Sequence, residues 1–263
     1  SNCNMSDVIL KVTDMSVALK GLNFTNVTAS QYLDLSSGDP GASVLLQSST
    51  FKNGACTASL ACISVQPSTF TLNATVFQNM ETNGGVVHHL PDLISEMVMD
   101  NVTFVDIHSN VDYAGARLDA HTTGTVDVSS CSFIRCVSEG QYGALAIQIN
   151  GYRTSFNVSF NNFEENSATS GAALSILSFA TALLTPTGPT RLVASNTFTG
   201  NKGTAGCSMY FLSAGLSTIL YNTINSSVDC ATDWLLASSP VTTTQNTIRA
   251  PTTPNTLTGS YIH

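Results

Sequence analysis

Short runs in which apolar and polar residues alternate recur along the chain, each closing on an aromatic residue. They read LNFTN, STFKN, TVFQN, VTFVD, CSFIR, NNFEEN and NTFTGN, with a degenerate NTINS after them. The anchors are Phe24, Phe51, Phe77, Phe104, Phe133, Phe163, Phe198 and Ile224, spaced 27, 26, 27, 29, 30, 35 and 26 residues. Alternation such as Phe156, Val158, Phe160 or Val126, Val128 has the period of two that short strands show. Helical periodicity is hard to find anywhere. A Gly before a small or apolar run follows each later anchor, at Gly85, Gly115, Gly143, Gly171 and Gly206. Polar turn-formers such as Asn166 to Ser170 fill the interval.

A unit of this length with two or three short strands suits a parallel solenoid, in which each strand pairs with its equivalent one coil away. The predicted class is all-β, a right-handed parallel β-helix of about eight coils of ~27 residues. It spans residues 1–237 as one domain, with 238–263 as a Ser/Thr/Pro-rich tail or arm. The anchors then form an internal aromatic stack. Asn161, Asn196 and Asn222, two residues before their anchors, are placed to form an amide ladder. The 35-residue interval holds Thr185-Pro-Thr-Gly-Pro189, a loop inserted in one coil.

The segments Phe163-Glu-Glu-Asn166 with Gly171-Ala-Ala-Leu174, and Phe198-Thr-Gly-Asn201 with Gly206-Cys-Ser-Met209, resemble the F-x-x-N and G-G-A-[ILV] marks of polymorphic outer-membrane protein repeats. The resemblance covers about residues 20–230, and the later coils carry it best. Phe51-Lys-Asn53 and Phe77-Gln-Asn79 are one residue short of the mark, and Phe104 and Phe133 lack the Asn. It implies a parallel β-helix passenger-like domain with a surface role. No translocator barrel like that of the bacterial members follows.

Composition points to the compartment. Charged residues are only 10 % of the chain, against about 25 % in an ordinary soluble domain. Seven N-x-S/T sequons occur, at Asn4, Asn23, Asn26, Asn73, Asn101, Asn157 and Asn225. N-glycans on them would solvate a charge-poor surface. Seven cysteines, none in a CxxC pair, argue against a zinc ribbon and for disulfides in an oxidising compartment. Spacing suggests Cys56–Cys62, Cys131–Cys136 and Cys207–Cys230, with Cys3 unpaired or bonded to another chain. The expected location is extracellular or at the cell surface. A net charge of −8 with nine Lys and Arg argues against nucleic acid. No apolar run is long enough to span a membrane. The chain opens at Ser1 without a visible signal peptide, as a mature product or a fragment would.

Parallel β-helices also carry pectin-degrading enzymes, whose chemistry needs clustered catalytic groups. The NTD, DD, GHG and RIK motifs of those hydrolases do not occur. The charge-dense stretch runs from Asp100 to Asp127, with Asp106, His108, Asp112, Tyr113, Arg117, Asp119 and His121. Asp100, Asp106 and Asp119 would have to share a face to act together; the plainer reading is a solvated coil edge. His88 and His89 are adjacent, so they point to opposite faces of a strand and read as surface histidines. No glycine-rich phosphate loop or nucleophile elbow occurs. Thr-x-Thr elements do not recur in register, against an ice-binding array. No cofactor or metal site is expected.

Three functions fit. The leading one is a secreted, N-glycosylated structural protein, a subunit of an extracellular fibre or surface coat assembled head to tail, since a solenoid's end strands are templates for pairing. Its partners would be further copies and other matrix or coat proteins. The tail would be a linker or an arm laid on a neighbour. The second is an adhesin or glycan-binding module using its long lateral face. The third is a pectin-lyase-like enzyme with a divergent site near the Asp100–His121 coil.

Overall fold

The computed structural model describes residues 3–4, 8–13, 16–36, 41–57, 61–91, 94–121, 123–151, 153–178, 189–212, 217–230, 232–237 and 241–249. It is all-β, a parallel solenoid of about eight turns whose equivalent strands lie near 27 residues apart. Each turn crosses three sheets in order. In one turn these crossings are Ile63–Val65 in a leading sheet, Thr69–Asn73 in a middle sheet and Val76–Thr82 in an anchor sheet. All the pairing between these strands is parallel, and the anchors fall in register: Phe51 pairs with Phe77, Phe77 with Phe104, Phe104 with Phe133, Phe133 with Phe163 and Phe163 with Phe198.

Because parallel strands repeat every ~4.8 Å, an inward side chain meets its equivalent at that spacing. The anchor rings stack with centroids 4.9–5.1 Å apart from Phe24 to Phe198. From Phe104 onward their planes are within 5° of parallel. Middle-sheet residues Val44, Phe70, Met97, Val126 and Phe156 and leading-sheet residues Leu33, Ile63, Val87, Ala116, Leu145 and Leu174 form further buried columns in the same core.

Two corners per turn flank the anchor residue, and both need a left-handed backbone. Three residues before the anchor stand Ser48, Ala74, Asn101, Ser130, Phe160, Ser195 and Tyr221, with φ between 47° and 59°. Two residues after it stand Asn26, Asn53, Asn79, Asp106, Arg135 and Glu165, with φ between 51° and 56°. These corners interrupt the strand alternation. Phe156 and Val158 are inward as the alternation requires, but Phe160 falls on a corner and is turned out, 69 % exposed.

The corners also explain the asparagines. Just inside the first corner, Asn161 Nδ2 donates to Asn196 Oδ1, Asn196 to Asn222 and Asn222 to Asn246, each at 3.0 Å. The same Nδ2 groups donate to Val128, Val158 and Val193 carbonyls one coil back. A second ladder, which sequence spacing did not single out, lies inside the other corner. Asn166 Nδ2 donates to Asn201 Oδ1 at 3.0 Å and also to the Phe133 carbonyl. The Asn of F-x-x-N is therefore an inward ladder residue. Asn53 and Asn79, one position earlier, sit on the corner itself and bond to each other outside, at 2.9 Å.

Cys131 and Cys136 occupy the same two inward positions in their coil, and this overturns their expected disulfide. Cys131 N–H donates to Asn161 Oδ1 and Cys136 N–H to Asn166 Oδ1. They stand on either side of Phe133 with their sulfurs on different carbonyls, Cys131 Sγ on that of Ser129 and Cys136 Sγ on that of Phe104. Both are buried free thiols. Cys56–Cys62 and Cys207–Cys230 are bonded, with Cα atoms 5.4 and 6.0 Å apart. Cys3 lies on a strand paired to Val27, and its side chain is outside the described residues.

The expected boundary at 237 is not where the coils stop. Val241–Thr244 pairs with Ser217–Leu220, and Thr247–Arg249 with Thr223–Asn225. Asn246 extends the first ladder and Ile248 extends the anchor column. The rest of the expected arm, 250–263, and the inserted loop at 185–189 up to 188 lie outside the described residues.

Two outcomes follow for stability. Phe104→Ala should lower the unfolding free energy by about 3–5 kcal/mol, since it removes a ring from the closed column; chemical denaturation measures it. Phe160→Asn should raise stability by ~1 kcal/mol, because Asn tolerates the left-handed corner and an exposed Phe gives up little burial there.

Candidate functional site

The densest group of ionisable side chains lies on the outer side of the leading sheet. In Ala116–Ala120, Leu118 points into the core, so Arg117 and Asp119 point away from it. Asp119 is nevertheless buried. Arg117 grips it with two hydrogen bonds, Nε to Oδ1 at 2.9 Å and Nη2 to Oδ2 at 3.1 Å. His88 Nε2 from the preceding coil lies 3.3 Å from Oδ2. Arg117 Nη2 also donates to Gln148 Oε1 in the following coil, at 2.8 Å. Tyr113 closes the group, its ring centroid 6.0 Å from the guanidinium and its face set edge-on to His88. Gly85 makes this possible: its φ is +81°, and a Cβ there would stand 2.2 Å from the Tyr113 ring.

The electrostatics favour a fixed ion pair. Burial opposes ionisation of Asp119, but hydrogen bonds from His88 and Arg117 and the Arg117 charge outweigh it and hold the carboxyl below its usual range. Burial likewise pushes the Tyr113 phenol up. A glycoside hydrolase needs two carboxylates facing each other across the bond to be cut. Here the carboxylate faces a guanidinium and an imidazole.

The other acidic residues of the stretch go elsewhere. Asp100 ends a middle-sheet strand, where it accepts from Asn73 Nδ2 and Ser129 Oγ, both at 3.1 Å. Asp106 is on an anchor-sheet corner and pairs with Arg135 at 2.6 Å. Asp100, Asp106 and Asp119 thus lie on three different sheets and share no face. Asp112 accepts from the Gln141 backbone, and His108 faces Glu139 at 3.7 Å. His121 is near the coil's end, where its carbonyl accepts from Thr154. Among the described residues no group of three His, Cys, Asp or Glu could hold a metal ion.

His88 and His89 do point to opposite faces, but His89 is not a surface residue. It is in the core against Phe70, ring centroids 5.6 Å apart, with Nε2 donating to the Pro67 carbonyl at 2.9 Å. Alternation placed the two apart; that the inward one would be accepted in the core depended on the Pro67 carbonyl, which spacing does not reveal.

The described sequons all lie on the outside of the coils. Asn23, Asn26 and Asn101 are exposed, and Asn26 and Asn101 stand on left-handed corners. Asn73, Asn157 and Asn225 are half-buried, with Nδ2 donating to Asp100, Asp127 and Thr199. An N-linked sugar replaces one of two hydrogens on Nδ2, so these bonds can survive its attachment. The side chain of Asn4 lies outside the described residues.

Among the described residues no helix is long and apolar enough to cross a membrane. No protein-family model, curated protein or solved structure matches the chain.

His89 has a pH signature. Burial, partly opposed by the Pro67 carbonyl, lowers its pKa to about 4 from 6.5. The unfolded chain therefore binds a proton that the folded one refuses between those values. Its contribution is fully present above about pH 6.5 and is lost as pH falls to about 4, on the order of 3 kcal/mol. Unfolding titrations should show this slope, and His89→Leu should remove one proton's share of it.

Proposed function

We propose that the protein is a secreted, N-glycosylated structural solenoid, a subunit of an extracellular fibre or surface coat in which coils of one copy stack on coils of the next. The observation that carries this is the state of the terminal strands. Among the described residues, Trp234–Ala237, Val241–Thr244 and Thr247–Arg249 have a hydrogen-bonded neighbour on one side only. The core columns run out to that edge: Ile248, in register with Ile224, is 40 % exposed. At the other end Leu10, Val12, Val17, Leu19 and Phe24 are only partly buried. Each edge carries the same backbone groups and column positions that every internal coil offers its neighbour. A head-to-tail contact of this kind does not close on itself and yields a filament.

Three further features support the reading. The bonded cysteine pairs suit an oxidising compartment. The described sequons face outward on the sides of the coils, clear of the core columns. The low charge leaves a surface that glycans would keep solvated.

Purified protein should form filaments with an axial repeat of roughly 40 Å, about eight coils at ~4.8 Å each, seen by electron microscopy. Ile248→Asp should leave the coils folded and stop assembly, because it sets a carboxylate at the end of the anchor column. A wild-type chain that sediments as a stable monomer at high concentration counts against the proposal.

A further inference from the structure

Two large rings are held where much of their surface stays in water. Phe160 and Tyr221 are 69 % and 56 % exposed. Both occupy the first corner, with φ of 59° and 56°. A bulky side chain rarely accepts that backbone conformation, and such strain tends to collect at functional positions. Equivalent corners carry Ser48, Ala74, Ser130 and Ser195, which show that a small residue suffices.

Register relates the two rings. Phe160 N–H donates to the Ala194 carbonyl, and Ser195 N–H to the Leu220 carbonyl. Phe160, Ser195 and Tyr221 are therefore stacked corners of three successive coils, and the two rings stand two coil rises apart, about 9.6 Å. Ser195 leaves the level between them open. The corner is also rigid: the residues that follow are Asn161, Asn196 and Asn222, the buried ladder closed by 3.0 Å amide bonds. The segments Ser159–Asn162, Ala194–Thr197 and Leu220–Thr223 contain no charged residue. Thr197 and Thr223, on the outer side of the anchor strands, supply hydroxyl groups beside the rings, and Asn162 supplies its amide, whose Nδ2 donates to Glu164 Oε2 at 3.3 Å.

We propose that Phe160 and Tyr221 form a stacking platform for a neutral, extended, β-1,4-linked polysaccharide that lies along the solenoid axis. One face of a pyranose with equatorial substituents is lined by C–H groups, which pack against the negative face of an aromatic ring. In an extended β-1,4 chain successive sugars are turned over, so the same face recurs once per disaccharide. Two coil rises match that repeat, and the sugar between lies over Ser195. The corner segments carry no cation to pair with an acidic sugar, and the Glu164 carboxylate on Asn162 would repel one, so the site selects a neutral chain. A platform rigid before binding loses little entropy on capture. The inference is independent of filament assembly, since it concerns the side of the coils and not their ends.

The test is calorimetric titration of the full chain with cellohexaose and chitohexaose, with maltohexaose, whose α-linkages curl the chain, as the geometric control. Binding of at least one β-1,4 hexaose, and none of maltohexaose, is expected. Phe160→Ala and Tyr221→Ala should each weaken it by roughly tenfold, the loss of one stacked ring. The double variant should not bind. Its melting temperature should be unchanged or higher, since both substitutions lie on exposed corners. Three results would overturn the proposal: no binding of either β-1,4 hexaose, equal binding of maltohexaose, or undiminished binding by the folded double variant.

Discussion

Parallel, in-register hydrogen bonding between coils is the constraint on which everything else depends. Once Phe77 is paired with Phe51 and Phe104, every inward position meets its own equivalent at the strand repeat. Only side chains that tolerate a neighbour at that spacing can fill such columns, whether all aromatic as at the anchors or mixed apolar as in the middle sheet. Rings do so by lying parallel, aliphatic groups by close packing, and amides by donating to one neighbour while accepting from the other. Like charges cannot, because each would sit ~4.8 Å from its twin in a medium of low dielectric. The 10 % charge content follows in part from this rule. The Asp119 group obeys it as well, since no residue there is followed in the next coil by its own kind: His88 is followed by Arg117, Arg117 by Ala146 and Asp119 by Gln148.

Much of the fold was legible because a solenoid repeats itself. The anchor spacing revealed the coil length, and the alternation around Val126 and Val128 revealed strands. The aromatic stack and the first asparagine ladder could be placed from those two facts. What escaped was the corner chemistry. A left-handed residue resets the inward and outward alternation, so Phe160 looked like a third core residue after Phe156 and Val158 and is instead exposed. The same blindness hid the second ladder, although Asn166 and Asn201 were visible as the last letter of F-x-x-N.

The candidate site was legible only as a concentration of charge. Sequence distance says which residues share a coil, but not which of three sheets they fall on. Asp100, Asp106 and Asp119 are near in sequence and are parted by the turns between them. Conversely, His88 and Gln148 come from other coils and join Asp119 through register. The disulfides divide in the same way. Cys207 and Cys230 meet because they lie on neighbouring coils, whereas Cys131 and Cys136 share one coil and are kept apart by the ring between them.

Those two thiols have a consequence for how the molecule meets oxidants. Burial pushes the Cys131 thiol up to about 12 and Cys136 higher still, so neither is a nucleophile while its coil is closed. They sit near the middle of the stack, and a solenoid, whose coils touch only their neighbours, opens most readily from its ends. Fraying at either end leaves both thiols covered. Their oxidation therefore requires the centre of the stack to part, and damage of that kind would mark molecules that had already come open along much of their length.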